Sequence, residues 1–179
     1  MTCIIGLVEN GKVYIGGDSA GCADGEIRAT KIAKVFRNGN FLIGYTTSFR
    51  MGQLLQYQLD VPGQVESIPD GAYMVCTFVE AVRKLFTDYG FARIDSNEES
   101  AGKFLVAYRG HLYCVESDYQ VQENLDGFEV IGAGRSYALG ALKVLETLEL
   151  SPTERILKAL QVSAYFSDSV MEPFKILSI

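Results

Sequence analysis

The chain has 179 residues, of which 48% are apolar and 21% charged, and its formal net charge is -6. This balance is typical of a globular protein and excludes a disordered polar chain. An acidic composition disfavours nucleic-acid binding, and no apolar run approaches the roughly 18 residues of a membrane span. Because the first residues show no secretory pattern, we expect a cytoplasmic protein with a single domain over residues 1–179.

The cysteines and the single histidine give no sign of a metal site. Cys3, Cys22, Cys76 and Cys114 are far apart in sequence, and His111 follows a glycine in a predicted turn. No C-x-x-C pair and no second histidine provide the spacing of zinc ligands. We therefore expect no metal and no other cofactor, and no disulfide in a cytoplasmic protein.

The first part of the chain is predicted to form short strands. They are expected at residues 3–8, 12–17, 27–29, 33–37 and 41–46. Asn10-Gly11 separates the first two strands and predicts a tight hairpin, because both central residues of such a turn need a positive φ. Residues 19–26 are small and polar, so a loop is predicted there.

The hydrophobic spacing changes after Ser48. Met51, Leu54, Leu55 and Leu59 recur at intervals of three and four, which predicts a helix over 48–59 with Ser48 as its N-cap. A second helix is predicted over 72–89. Residues 92–102 are polar and are predicted to be a mobile segment.

The second half repeats this order of strands and then helices. Strands are predicted at 104–109, 112–115, 128–132 and 173–178, and helices at 136–147 and 151–166. Ser151, Pro152 and Glu154 form a capping-box sequence at the start of the last helix. Hairpin-connected strands pair antiparallel, so we predict an α+β fold with two packed antiparallel sheets and helices outside.

Four sequence elements occur in an order that matches one known family. They are Thr2 followed by a strand and Asn10-Gly11, then Gly16-Gly17-Asp18-Ser19, then Lys31-Ile-Ala-Lys34-Val35-Phe36, and finally the segment from Ile131 to Gly140 that contains Gly132-Ala133-Gly134. In this order and spacing the chain resembles proteasome β subunits and, most closely, bacterial HslV-type peptidases and their phage-type relatives. These are N-terminal nucleophile (Ntn) hydrolases, and the resemblance implies a four-layer αββα sandwich.

The resemblance implies that Thr2 is the nucleophile once Met1 is removed. A free α-amino group has a pKa of about 7.7–8.0, so the amine of Thr2 can take the proton of its own hydroxyl. Lys34 is expected beside Thr2, where its charge favours the alkoxide, and Asp18 is expected to hold Lys34. Taken singly, Asp18 is also compatible with a turn residue and Lys34 with an exposed lysine on an edge strand.

Two turns surround this predicted site. The backbone N–H of Thr47 or Ser48 is expected to form the oxyanion hole, at positions where the family usually has glycine. Gly132, Ala133 and Gly134 match the Gly-x-Gly turn of the family, with Ala133 where a serine is common. This turn is expected to lie beside the amine of Thr2.

The family also has an aspartate near the end of the last helix. One alignment places Tyr165 at this position, and another places Asp168 or Ser169 there. Asp168 and Ser169 are therefore predicted to support the terminal amine.

The predicted function is a threonine peptidase that forms an acyl-enzyme on Thr2 and acts on peptides or unfolded proteins. The resemblance implies a homo-oligomeric ring, and HslV-type relatives also work with an ATP-dependent unfoldase. The exposed faces of helices 48–59 and 72–89 are candidate contacts. Two alternatives stay open, namely a catalytically inactive ring or scaffold subunit and a small-molecule amidase with the same fold.

Overall fold

The computed structural model describes residues 2–23 and 25–179, and its strands form two antiparallel sheets. The first sheet has the order β12-β1-β2-β13, with β1 at Cys3–Glu9, β2 at Lys12–Gly17, β12 at Phe128–Gly132 and β13 at Lys175–Ser178. The second has the order β11-β10-β9-β6-β5, with β5 at Val35–Asn38, β6 at Phe41–Tyr45, β9 at Phe104–Tyr108, β10 at His111–Val115 and β11 at Val121–Gln122.

Two short hairpins and the helices complete the fold. The hairpins pair β3 (Ala20–Ala23) with β4 (Glu26–Ala29) and β7 (Arg93–Asp95) with β8 (Glu98–Ser100). The helices are α1 (Phe49–Tyr57), α2 (Asp70–Tyr73), which continues through a π-helical segment (Met74–Phe78) into α3 (Val79–Asp88), then α4 (Arg135–Leu145) and α5 (Pro152–Phe166). No helix in the described parts of the chain is long and apolar enough to cross a membrane.

The four layers form because successive side chains of each strand point to opposite faces of its sheet. Cys3 and Ile5 of β1 pack on α4 and α5, whereas Ile4 between them points into the interface of the two sheets. In β6, Ile43 faces α1 and α3 while Leu42 faces the other sheet. Because every central strand is buried on both faces, the sheets stack between two helical layers, and the predicted αββα sandwich is confirmed.

The predicted local signals at turns and caps are present in the structure. Asn10 and Gly11 have φ values of 51° and 73°, as the predicted hairpin turn requires. The side chain of Ser48 caps α1 by accepting a hydrogen bond from the Arg50 N–H at 3.1 Å. Ser151 and Glu154 form the predicted capping box of α5.

The structure differs from the secondary-structure predictions in three places. Residues 19–26 were expected to be a loop, but Ala20–Ala23 pair with Glu26–Ala29 as a hairpin. Residues 92–102, expected to be mobile, contain the β7–β8 hairpin, and Ser96 and Asn97 supply positive φ values of 51° and 69° at its turn. The two-residue strand Val121–Gln122 was not predicted, since such a short strand carries no periodic signal.

Candidate active site

The structure brings Thr2, Asp18 and Lys34 together at one end of the two sheets. Thr2 precedes β1, Asp18 follows β2, and Lys34 precedes β5 of the other sheet. The Nζ of Lys34 lies 2.9 Å from Thr2 Oγ1 and 3.0 and 2.9 Å from the two carboxylate oxygens of Asp18. All three residues are at least nine-tenths buried, with exposed fractions of 3%, 3% and 4%. Their catalytic roles stay predictions.

The carboxylate of Asp18 is fixed by two backbone amides as well as by Lys34. Cys3 N–H donates to Oδ1 and Ala20 N–H donates to Oδ2, each at 2.9 Å. The three ammonium protons of Lys34 match three acceptors, namely one hydroxyl and two carboxylate oxygens. A buried ion pair with satisfied hydrogen bonds avoids the cost of an isolated buried charge.

Burial and charge act on Lys34 in opposite directions. Desolvation of the buried ammonium is the larger effect and lowers the pKa of Lys34 below its usual value of 10.5, while the Asp18 carboxylate opposes this shift. Nζ therefore holds its proton less tightly than a surface lysine does. A proton donor of this kind, placed on Thr2 Oγ1, is suited to stabilise negative charge on that oxygen.

The turn of Gly132, Ala133 and Gly134 holds the backbone of Thr2. Gly134 N–H donates to Thr2 O at 3.2 Å. Gly132 has a φ of 99°, and a Cβ at this residue would lie 2.2 Å from the same carbonyl oxygen. The close approach explains why glycine is required at residue 132, whereas Ala133 is exposed at the surface.

Ser163 of α5 supports this turn, and sequence reasoning missed it. Its side chain is fully buried, and its Oγ lies 3.2 Å from Gly134 O and 3.0 Å from Ala159 O. The Cys3 thiol donates to Ser163 Oγ at 3.6 Å, and burial raises the pKa of Cys3 to about 12. Ser163 thus connects α5, the turn and β1. A serine at an inward position of an amphipathic helix was the only signal in the sequence.

The residues predicted from the end of the last helix have different surroundings. Tyr165 projects from α5 with an exposed fraction of 83%. Asp168 and Ser169 line a cavity of about 340 Å³ together with Cys22 and Glu26. Ser169 Oγ donates to the carboxylate of Asp168 at 3.0 Å. This cavity adjoins the Thr2 pocket, because Cys22 lines both.

The candidate oxyanion turn at Thr47 and Ser48 is strained. Thr47 has a φ of 76°, which is rare for a β-branched residue, and Ser48 N–H donates to Thr46 O at 3.0 Å. Thr47 Oγ1 accepts a hydrogen bond from Lys103 N–H at 3.3 Å, which ties the turn to the start of β9. Within residues 2–23 and 25–179, Thr47 N–H makes no hydrogen bond.

Thr2 and Lys34 line a pocket of about 120 Å³ that opens between β3 and the start of α1. The other lining residues are Ala20, Cys22, Tyr45, Thr46, Thr47, Ser48 and Phe49. A larger cavity of about 560 Å³ lies on the outer side of α3 and includes none of the predicted site residues. In the described parts of the chain, no group of three or more His, Cys, Asp or Glu side chains is arranged to hold a metal ion.

Comparison with known proteins shows sequence similarity to a bacterial protease subunit. No protein-family model matches the chain. The chain is 27% identical over 168 residues to the ATP-dependent protease subunit HslV of Caldicellulosiruptor saccharolyticus, and the alignment covers 91% of this chain and 89% of that protein.

Solved structures share the fold over nearly the whole chain. BPH of Thiobacillus denitrificans has a TM-score of 0.81 at 21% identity, covering 99% of this chain and 97% of that one. A BPH structure in complex with epoxomicin has a TM-score of 0.79 at 20% identity, with the same coverage. Eukaryotic HslV from Trypanosoma brucei has a TM-score of 0.71 at 17% identity, covering 98% of both chains. The chain therefore has the fold of the HslV and BPH structures and is similar in sequence to HslV over most of its length.

Proposed function

We propose that this protein is a threonine peptidase that hydrolyses peptide bonds through an acyl-enzyme on Thr2. The observation that carries the proposal is the position of Lys34 Nζ, which contacts Thr2 Oγ1 and both carboxylate oxygens of Asp18 inside a buried site. Removal of Met1, which lies outside the described residues, exposes the α-amine of Thr2. That amine then serves as the base for the adjacent hydroxyl.

The reaction follows from these groups. The amine takes the Oγ1 proton as the oxygen attacks the substrate carbonyl, and the ammonium of Lys34 favours the negative charge on Oγ1. Thr47 N–H is the better candidate for the oxyanion donor, because Ser48 N–H already donates to Thr46 O. The protonated amine passes its proton to the leaving amine. Water then attacks the acyl-enzyme with the α-amine again as the base, and the acyl group leaves Oγ1, which regains its proton.

The decisive test measures the mass of the intact protein before and after incubation with epoxomicin, the compound present in the BPH complex. We expect a starting mass without Met1 and a single adduct on the wild type. Thr2→Ala, with the same N-terminal processing, should form no adduct and should not cleave fluorogenic peptides. If wild type and Thr2→Ala are equally inert after Met1 removal is confirmed, the peptidase proposal fails and an inactive ring or scaffold subunit is favoured.

A second candidate function is hydrolysis of small amides. The pocket beside Thr2 is only about 120 Å³, which limits the groups that can bind there. Turnover of small-molecule amides without turnover of peptides would favour this amidase, whereas Thr2-dependent turnover of peptides excludes it as the main activity.

The assembly is proposed from the relatives. The HslV relative is named as a subunit of an ATP-dependent protease, so we propose a cytoplasmic homo-oligomeric ring of single-domain subunits that acts with an ATP-dependent unfoldase. The exposed side chains of Tyr57 on α1, Val75 in the π-helical segment and Tyr89 after α3 are candidates for these contacts. Sedimentation analysis of the purified protein tests the ring, and a monomer at micromolar concentration would contradict it.

A further inference from the structure

The aromatic ring of Phe49 forms a wall of the pocket that contains Thr2. Phe49 is the first residue of α1, and its ring centroid lies 6.0 Å from Lys34 Nζ. The Cε2 atom of Phe49 also lies 3.7 Å from the place where a Cβ on Gly21 of β3 would stand. The ring therefore occupies space between α1 and β3, directly beside the proposed nucleophile.

Several contacts fix the backbone that carries this ring. Ser48 Oγ accepts from Arg50 N–H at 3.1 Å, and Gly52 N–H donates to Ser48 O at 3.2 Å. The ring itself is partly buried against the hydrophobic cluster under α1. Since the helix start is capped and the ring is packed, the width of the pocket is set before a substrate binds.

The pocket left beside the ring is small. Its volume of about 120 Å³ corresponds to about four water molecules at roughly 30 Å³ each. Typical ligand pockets measure about 300–1,000 Å³. When an acyl group is bonded to Thr2 Oγ1, the side chain next to the cleaved bond lies beside the Phe49 ring in this pocket. A neighbouring cavity of about 340 Å³ shares Cys22 with this pocket and is separate from the space beside the ring.

From this geometry we infer that Phe49 is a specificity-determining residue, and that the protein cleaves after small residues such as glycine, alanine and serine. The inference rests on the proposed peptidase function. A larger side chain at that substrate position would have to displace the Phe49 ring, which is packed against the cluster under α1. Displacing a packed ring costs contact energy that a small side chain does not require.

The test compares fluorogenic peptides that differ only in the residue before the cleaved bond, with alanine, leucine or tyrosine at that position. For the wild type we expect kcat/KM to be at least about tenfold higher for alanine than for tyrosine, since one or a few methylene groups already discriminate by about 10–200-fold. Phe49→Ala should reduce this ratio at least tenfold by raising turnover of the leucine and tyrosine peptides. Phe49→Leu should give an intermediate ratio.

The matched control is Tyr165→Ala, which removes an aromatic ring from α5 at a site with 83% exposure. It should leave the alanine-to-tyrosine ratio unchanged. A cooperative urea unfolding transition for each variant shows that the chain is folded.

The outcomes separate the two proposals. A wild type that cleaves after tyrosine as fast as after alanine overturns the inference and leaves the peptidase function standing, as does a folded Phe49→Ala variant with an unchanged ratio. A wild type that lacks Met1, forms no adduct on Thr2 and cleaves none of the peptides overturns both.

Discussion

The Nζ of Lys34 lies 3.0 and 2.9 Å from the two carboxylate oxygens of Asp18, and both side chains are almost fully buried. The ion pair joins the two sheets at the site, because Asp18 follows β2 and Lys34 precedes β5. The cost of desolvating both charges offsets much of their attraction. The pair is therefore best understood as a device that positions Lys34 against Thr2, and its removal should affect both folding and reactivity.

Asp18→Asn should lower the free energy of unfolding by about 3–5 kcal/mol, because it leaves the Lys34 ammonium buried without a counter-charge. The neutral amide also has only one acceptor oxygen for the N–H groups of Cys3 and Ala20, which both donate to Asp18. Urea denaturation measures the change, and the rate of adduct formation at Thr2 should fall with it.

The control for this variant is Glu26→Gln, which also removes one carboxylate charge from an ion pair. Its partner is Arg28, and the two side chains are 65% and 81% exposed. Exposed pairs contribute little to stability, so the unfolding midpoint should hardly change. Equal midpoints for Asp18→Asn and Glu26→Gln would show that the buried pair does not have the assigned role.

The pH dependence of kcat/KM should be bell-shaped. On the acidic side the rate should rise as the α-amine of Thr2 loses its proton, because only the free amine can take the Oγ1 proton and the nearby Lys34 charge disfavours the protonated amine. On the alkaline side the rate should fall as Lys34 itself loses its proton. Since burial lowers the pKa of Lys34, the midpoint of this fall should lie below 10.5. Initial rates between pH 5 and 11 measure both limbs.

Lys34→Arg tests the assignment of the alkaline limb. A guanidinium keeps its proton at all accessible pH values, and its planar shape fits poorly between Thr2 Oγ1 and the Asp18 carboxylate. We expect a rate reduced by about 10²–10⁴-fold without the alkaline fall. Residual activity that retains the wild-type alkaline limb would assign that limb to another group.

The layers of the fold could be predicted because they depend on local patterns. Alternating apolar residues, the Asn10-Gly11 turn and the capping box at Ser151 each have a direct physical cause in a few neighbouring residues. The sequence elements that contain Thr2, Asp18 and Lys34 resemble those of HslV-type peptidases, and this resemblance predicted that the three residues lie together.

Features that depend on distant contacts could not be predicted. The strand Ala20–Ala23 consists of small residues with no alternation, and it forms because Glu26–Ala29 pair with it. Ser163 was missed because its role depends on Gly134, which lies 29 residues away in sequence. The positive φ of Thr47 contradicts the preference of a β-branched residue and is imposed by the surrounding contacts.

Thr47→Gly should raise the free energy of unfolding by about 1 kcal/mol. Threonine at a φ of 76° has a steric cost that glycine does not have. We expect this cost to be larger than the extra conformational entropy that glycine loses on folding. The loss of the 3.3 Å hydrogen bond from Lys103 N–H to Thr47 Oγ1 reduces this gain in stability.

The neighbouring change Thr46→Gly is the control for Thr47→Gly. Thr46 is buried and has no positive φ, so this change should be destabilising. A destabilised Thr47→Gly would show that the threonine contacts outweigh the backbone strain.

Gly132→Ala should have the opposite effect and should also inactivate the protein. The new Cβ would lie 2.2 Å from Thr2 O, and a φ of 99° is strained for alanine, so we expect a loss of at least about 3 kcal/mol in the free energy of unfolding. Any folded fraction must shift the backbone of Thr2 relative to Lys34 and should form the epoxomicin adduct slowly.

Gly140→Ala is the matched substitution for Gly132→Ala, since it adds the same atom inside α4, where the new Cβ meets nothing within 4 Å beyond its chain neighbours and the backbone of its own helix. Alanine favours a helix by up to about 1 kcal/mol over glycine, so this variant should be more stable than the wild type and should react normally. Thermal unfolding and adduct formation by both variants measure the contrast. If Gly132→Ala is as stable and as reactive as Gly140→Ala, the close approach of Gly132 to Thr2 does not hold the nucleophile in place.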